Sequence, residues 1–91
     1  MAYNLTPGDS PRAVSGDVHF SLTIDGVVQR YIVSREALAD HFDPVHRDAR
    51  EPMEAFKFGE VRILQIAARK LGSAPIHGNG GAIVVGTFDF L

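Results

Sequence analysis

From Val18 to His41 the chain reads as one continuous unit: a strand, a two-residue turn, a returning strand and a capped helix. Val18, Phe20, Leu22 and Ile24 are apolar while His19, Ser21 and Thr23 between them are polar, which is the period of a half-buried strand. Asp25-Gly26 suits a type I′ turn, whose two central residues both need positive φ and whose twist matches the flanking strands. Direct pairing across that turn sets Ile24 opposite Val27, Leu22 opposite Gln29, Phe20 opposite Tyr31 and Val18 opposite Val33. Gln29 is the one polar residue on the apolar face. A three-residue loop would instead turn Val28, Arg30 and Ile32 inward and bury an arginine, so the two-residue register is expected.

Ser34 follows Val33 directly and is placed to accept the free N-H groups of a first helical turn, with Glu36 where the helix dipole favours an acid. Ala37, Leu38, His41 and Phe42 then share one side of a short helix, which Asp43-Pro44 should end because a residue before proline is pushed out of the α region. With 91 residues, 45% of them hydrophobic, the chain can bury one core and not two. Cysteine is absent, so disulfides, zinc-thiolate sites and a thiol nucleophile are excluded. Residues 1–16, with Pro7, Gly8, Pro11 and Gly16, are expected to form a mobile N-terminal arm ahead of a single domain over 17–91. The N-terminus lacks a basic region followed by an apolar run, and no apolar stretch is long enough for a membrane span, which makes the cytoplasm the expected location.

Residues 44–52 are polar and charge-mixed and read as a loop or a solvated turn. Pro52 fits the first position of a helix over Met53 to Phe58, Gly59 breaks it, and Glu60 to Leu71 is the strongest helix, acidic at its start, basic at Arg69 and Lys70, and stopped by Gly72. Its apolar face is unusually wide: Val61, Ile63, Leu64, Ile66, Ala67, Ala68 and Leu71 leave only a stripe through Arg62, Gln65 and Arg69. Burial beneath the first helix and the 53–58 segment is the favoured expectation, with a dimer face as the alternative. After a loop over 73–81, Ala82 to Phe90 reads as a final strand. The expected fold is therefore α+β: a β-hairpin, two or three helices and a C-terminal strand, giving a three-stranded antiparallel sheet with the helices on one face and the last strand beside the first. Its open edge and the apolar tail Phe88-Asp89-Phe90-Leu91 suggest association with a protein partner or a second copy. Arg62, Ile66, Arg69, Phe88 and Phe90 form the candidate interaction surface.

Chemical signatures are weak. Between Ser34 and Gly72 seven basic residues face seven acids, and the whole chain carries a net charge of −2, so nucleic-acid binding is disfavoured unless Arg47, Arg50, Lys57 and Arg62 cluster. Asp40, His41, Asp43 and His46 gather four metal-ligand types, but the histidines are five apart across Pro44, which is poor spacing for one helix face. Gly78-Asn79-Gly80-Gly81 lacks the lysine and the following helix of a phosphate loop. Ser21, His19 and Asp89 could meet only by chance across strands. No enzyme activity, cofactor or metal is expected.

The pattern Val18-x-Phe20, then Gly26, then Val33-Ser34-x-Glu36-Ala37-Leu38, followed by Phe56, Ile63, Ala67 and Leu71, resembles the proteobacterial family called domain of unknown function 1488 over about residues 17–90. The resemblance implies a compact β-β-α-α-β domain in the bacterial cytoplasm and supplies no catalytic residues. Some members carry an association with transcriptional regulation. The chain departs from the family at Tyr31, where members often have cysteine, in the arm before Asp17, and in the Gly78 to Gly81 loop. The expected function is that of a non-enzymatic protein-interaction or regulatory module, with a transcription-associated regulator binding nucleic acid or a small ligand as the alternative.

Overall fold

The computed structural model describes residues 2–42, 51–71 and 81–91. Along the chain they form β1 (Tyr3–Leu5), β2 (Arg12–Val14), β3 (Asp17–Ile24), β4 (Val27–Val33), α1 (Arg35–Phe42), α2 (Pro52–Phe58), α3 (Glu60–Lys70), β5 (Ile83–Val85) and a 3-10 turn over Thr87–Phe90. The β3-β4 hairpin has the expected register at every position: Ile24 opposite Val27, Leu22 opposite Gln29, Phe20 opposite Tyr31 and Val18 opposite Val33. Asp25 (φ 50°) and Gly26 (φ 88°) both take the left-handed conformation that a type I′ turn requires. Gln29, the polar misfit, lies at the open side of β4 and donates through Nε2 to the carbonyls of Gly81 (2.8 Å) and Arg30 (2.9 Å).

The sheet has five strands, not three. The two additional strands come from the segment read as a mobile arm, and both pair antiparallel with β3: β1 with residues 22–24 and β2 with residues 17–19. Two turns make this possible. Thr6 to Asp9 closes with a bond from Asp9 N-H to Thr6 C=O (3.2 Å) around Pro7 and Gly8 (φ 82°), as in a type II turn. Ser15 (φ 53°) and Gly16 (φ 91°) then close the β2-β3 hairpin in the same manner as Asp25-Gly26. Side chains add further ties: Ser21 Oγ donates to Asp9 (2.7 Å), and the Thr6 and Thr23 hydroxyls lie 3.1 Å apart.

The last strand also differs from expectation. β5 joins β4 in parallel, with Tyr31, Ile32 and Val33 against Ile83, Val84 and Val85, so the sheet is mixed and not wholly antiparallel. The outer edge of β3 is already occupied by β1 and β2, which leaves the free edge of β4 as the place where a returning strand can add. The strand stops at Val85 instead of running to Phe90. Gly86 is followed by the 3-10 turn, where the Asp89 carboxylate accepts the Gly86 N-H (2.7 Å) and Asp89 N-H bonds Gly86 C=O (3.1 Å), local bonds that compete with continued pairing.

Ser34 caps α1 by accepting the Ala37 N-H (3.2 Å), and α1 buries Ala37, Leu38 and Phe42. Pro52 opens α2 and Gly59 separates it from α3, as the sequence predicts. The expected helix stop at Asp43-Pro44, the 44–50 loop, the Gly72 stop and most of the 73–81 loop lie outside the described residues. The helices cover one sheet face, and the core joins Val18, Phe20, Leu22, Ile24, Tyr31 and Val33 to Phe42, Phe56, Ile63 and Phe90. The Phe20 ring stacks on Tyr31 (5.4 Å) and meets Phe56 (5.3 Å).

Tyr31 is fully buried, and its hydroxyl has no hydrogen-bond partner among the described residues. Burial pushes the phenol up to about 12, so the native state holds it neutral. Ionisation therefore leaves stability unaffected below about pH 10, the ordinary value, and lowers it progressively as pH rises from there through about 12, because the unfolded chain ionises first. Tyr31→Phe removes a desolvated group while keeping the ring, and should raise stability at neutral pH by about 1 kcal/mol. Urea denaturation at pH 7 and pH 11 checks this, with the advantage of the variant growing at pH 11; a variant weaker at both would show that the hydroxyl is satisfied.

Candidate interaction surface

The apolar excess of α3 is largely covered within the chain. Ile63, Ala67 and Ala68 are buried, and Leu64, Ile66 and Leu71 are half-buried against the core, whereas Val61 remains exposed. Arg62, Ile66 and Lys70 are spaced at four and form one ridge along the helix; Val61, Gln65 and Arg69 form the next. The first ridge holds the C-terminal turn. Arg62 donates to the Phe90 carbonyl (2.7 Å) with its guanidinium over the Phe90 ring (5.9 Å), and Lys70 Nζ donates to the Val84 carbonyl and pairs with Asp89, both at 2.8 Å. The second ridge is exposed along its length.

From the other side α1 grips the same turn. His41 Nε2 lies 2.9 Å from the Thr87 carbonyl, Thr87 Oγ1 donates to Asp40 (2.8 Å), and the Phe90 ring packs edge-on against Phe42 at 5.1 Å. A turn fastened by five side chains from two helices nevertheless holds Phe88 81% exposed and Leu91 88% exposed.

Of the five residues expected at an interface, Arg62, Arg69 and Phe88 reach the surface, and Ile66 is half-buried beside them. Phe90 is corrected: at 4% exposure it belongs to the core. A continuous strand would have set Phe88 and Phe90 on one face, but the 3-10 turn sends them in different directions. The exposed-edge idea is also altered, because Lys70 reaches across from α3 and occupies the Val84 carbonyl of β5.

Other groups singled out in the sequence do not come together. Ser21 gives its hydroxyl to Asp9, and Asp89 lies in the C-terminal turn bound to Lys70, so Ser21, His19 and Asp89 form no cluster. Arg47 and Arg50 of the basic group, and Asp43 and His46 of the metal-ligand group, lie outside the described residues; Lys57 lines a cleft while Arg62 holds Phe90. That cleft, about 320 Å³, opens between the N-terminal strands and α2 over Leu5, Pro11, Met53 and Phe56, with Lys57 and Glu60 at its rim. Gly81, at the end of the glycine-rich loop, supplies the carbonyl that Gln29 bonds. No helix among the described residues is long and apolar enough to cross a membrane.

A family model described as "Protein of unknown function (DUF1488)" matches residues 10–84. No curated protein and no solved structure gives a match.

Proposed function

Given that the chain belongs to the DUF1488 family of proteins of unknown function, we propose that it is a non-enzymatic interaction or regulatory module of the bacterial cytoplasm that engages a protein partner through the C-terminal turn and the outer ridge of α3. The carrying observation is the display of Phe88: a large apolar side chain 81% exposed on a turn that two helices hold in place. A flexible tail would lose conformational freedom on binding, whereas a tethered one has already lost it, and preorganisation of that kind is what raises affinity. Exposed aromatic side chains are over-represented at the centres of protein interfaces.

The geometry also selects the test. Truncating residues 88–91 would remove buried Phe90 and confuse folding with binding, but Phe88→Ser and Leu91→Ser change only exposed side chains and should shift stability by about 0.5 kcal/mol or less. Capture from native lysate, with nuclease and across a salt series, is expected to recover a stoichiometric protein with the native chain and to lose it with the double variant. A partner retained at full yield by the double variant would move the interface elsewhere, and recovery of nucleic acid alone would favour a nucleic-acid-binding regulator.

A further inference from the structure

We propose that the sheet face opposite the helices carries a site for the terminal phosphate of a small phosphorylated molecule, built from Arg12, His19 and Arg30. The helices pack on the face that holds Val18, Phe20, Leu22, Tyr31 and Val33, so by alternation the residues between these on β3 and β4 point the other way. Strand register then gathers the polar ones. Arg12 lies opposite His19, Ser21 lies opposite Arg30, and His19 and Arg30 are diagonal neighbours across the hairpin, within reach of long side chains. Asp9 folds over the same spot, and all five line one recess of about 10 Å³, room for about one water-sized group or a single anion oxygen.

Asp9 is the one carboxylate among the lining residues, and both its oxygens are engaged. Its Oδ2 accepts the hydroxyl of Ser21, itself only 2% exposed, at 2.7 Å, and its Oδ1 faces Arg12 at 3.5 Å. The Arg12 pair joins two exposed side chains and uses one nitrogen of a five-donor fork. The side chains of His19 and Arg30 make no hydrogen bond or ion pair among the described residues. Two guanidinium groups therefore face one committed carboxylate, with an imidazole as a further donor. Neighbouring positions on this face add no base: Asn4, Thr23 and Val28 form one row, and Ile32 and Val84 continue the row of His19. A phosphodiester chain needs a basic stripe to follow, whereas an isolated pair of forks suits one terminal phosphate held by paired N-H bonds.

The test is an amide NMR titration of the full chain, at constant ionic strength, with glycerol 3-phosphate, with glycerol as the uncharged control and with a short single-stranded DNA as the polymeric phosphate. Glycerol 3-phosphate is expected to give saturable shifts confined to residues 9–12, 19–21 and 30–32, and glycerol none. Arg30 is exposed and its variants keep the fold; Arg30→Gln should weaken binding roughly tenfold, and Arg30→Lys by less, because it keeps the charge and loses the fork. Asp9→Asn should tighten binding about threefold, since the amide oxygen still accepts from Ser21 while the competing charge is gone, a sign that a merely structural role would not give. Shifts that rise without saturation, undiminished binding by Arg30→Gln, weaker binding by Asp9→Asn, or tighter binding of the DNA than of glycerol 3-phosphate would each overturn the site. None of these outcomes touches the C-terminal turn, whose partner the lysate capture tests separately.

Discussion

Phe56→Ala is expected to remove about 3–5 kcal/mol of stability, the largest single-residue loss in the domain. The Phe56 side chain is fully buried, meets Phe20 at 5.3 Å and lies beneath the cleft between α2 and the N-terminal strands, so it fills the point where α2, β3 and the arm converge. Truncation loses the transfer energy of the ring and leaves a void that opens onto an existing cleft. A chain of this size has roughly 5–14 kcal/mol of total stability. The variant should melt at least about 15 °C lower, or fail to fold at 37 °C. A calorimetric shift of only a few degrees would mean that the cleft collapses to fill the space and that α2 docks less firmly than the geometry indicates.

Gly59→Ala should cost about 1–3 kcal/mol or more through the opposite fault, overpacking. The backbone at Gly59 is ordinary (φ −104°, ψ 16°), so conformational freedom is not the reason for glycine there. A Cβ at this position would collide with the edge of the Phe42 ring, which the C-terminal residue of α1 presses against the α2-α3 junction. The ring is itself held by Phe90 at 5.1 Å and has little room to retreat. The decisive measurement is a double-mutant cycle with Phe42→Ala. Removing the ring from the native chain should cost several kcal/mol, and removing it from the Gly59→Ala background should cost markedly less, because the collision goes with it. Additive losses would show that the two residues do not meet.

These two sites also indicate what was legible in advance. The Gly59 break, the Pro52 start, the Ser34 cap and every pair of the β3-β4 hairpin were readable because each rests on local chemistry: a turn type, a proline ring, a capping hydroxyl, a period of two. That Gly59 also makes room for Phe42 was not readable, since the two lie on different helices and no spacing relates them.

Composition alone does not reveal the N-terminal strands, because the signal for them lies in the turns that bracket them. Thr6-Pro7-Gly8-Asp9 and Ser15-Gly16 are both specific turn signals, and they bracket the short strand Arg12–Val14. The partner of β5 depended on which sheet edge was still free, a global fact that follows only once β1 and β2 are placed. At the candidate interface the residue types were visible but their sides were not. Phe88 and Phe90 look equivalent in an extended strand, and it is the Asp89 bonds to Gly86 and Lys70 that turn one outward and the other into the core.

The parallel docking of β5 on β4 also sets an order of events during synthesis. β2, β3 and β4 are joined by two-residue turns and can pair as soon as they leave the ribosome, but Tyr31 must wait for Ile83, with three helices made in between. Closing so long a loop is the slow step in folds of this kind. Until residues 83–90 emerge, one edge of β4 stays unpaired and the Phe42 ring lacks the Phe90 that packs against it. The nascent chain is therefore most exposed to aggregation and to chaperone capture in the interval before residues 83–90 emerge, and the Lys70 contacts to Val84 and Asp89 are among the last to form.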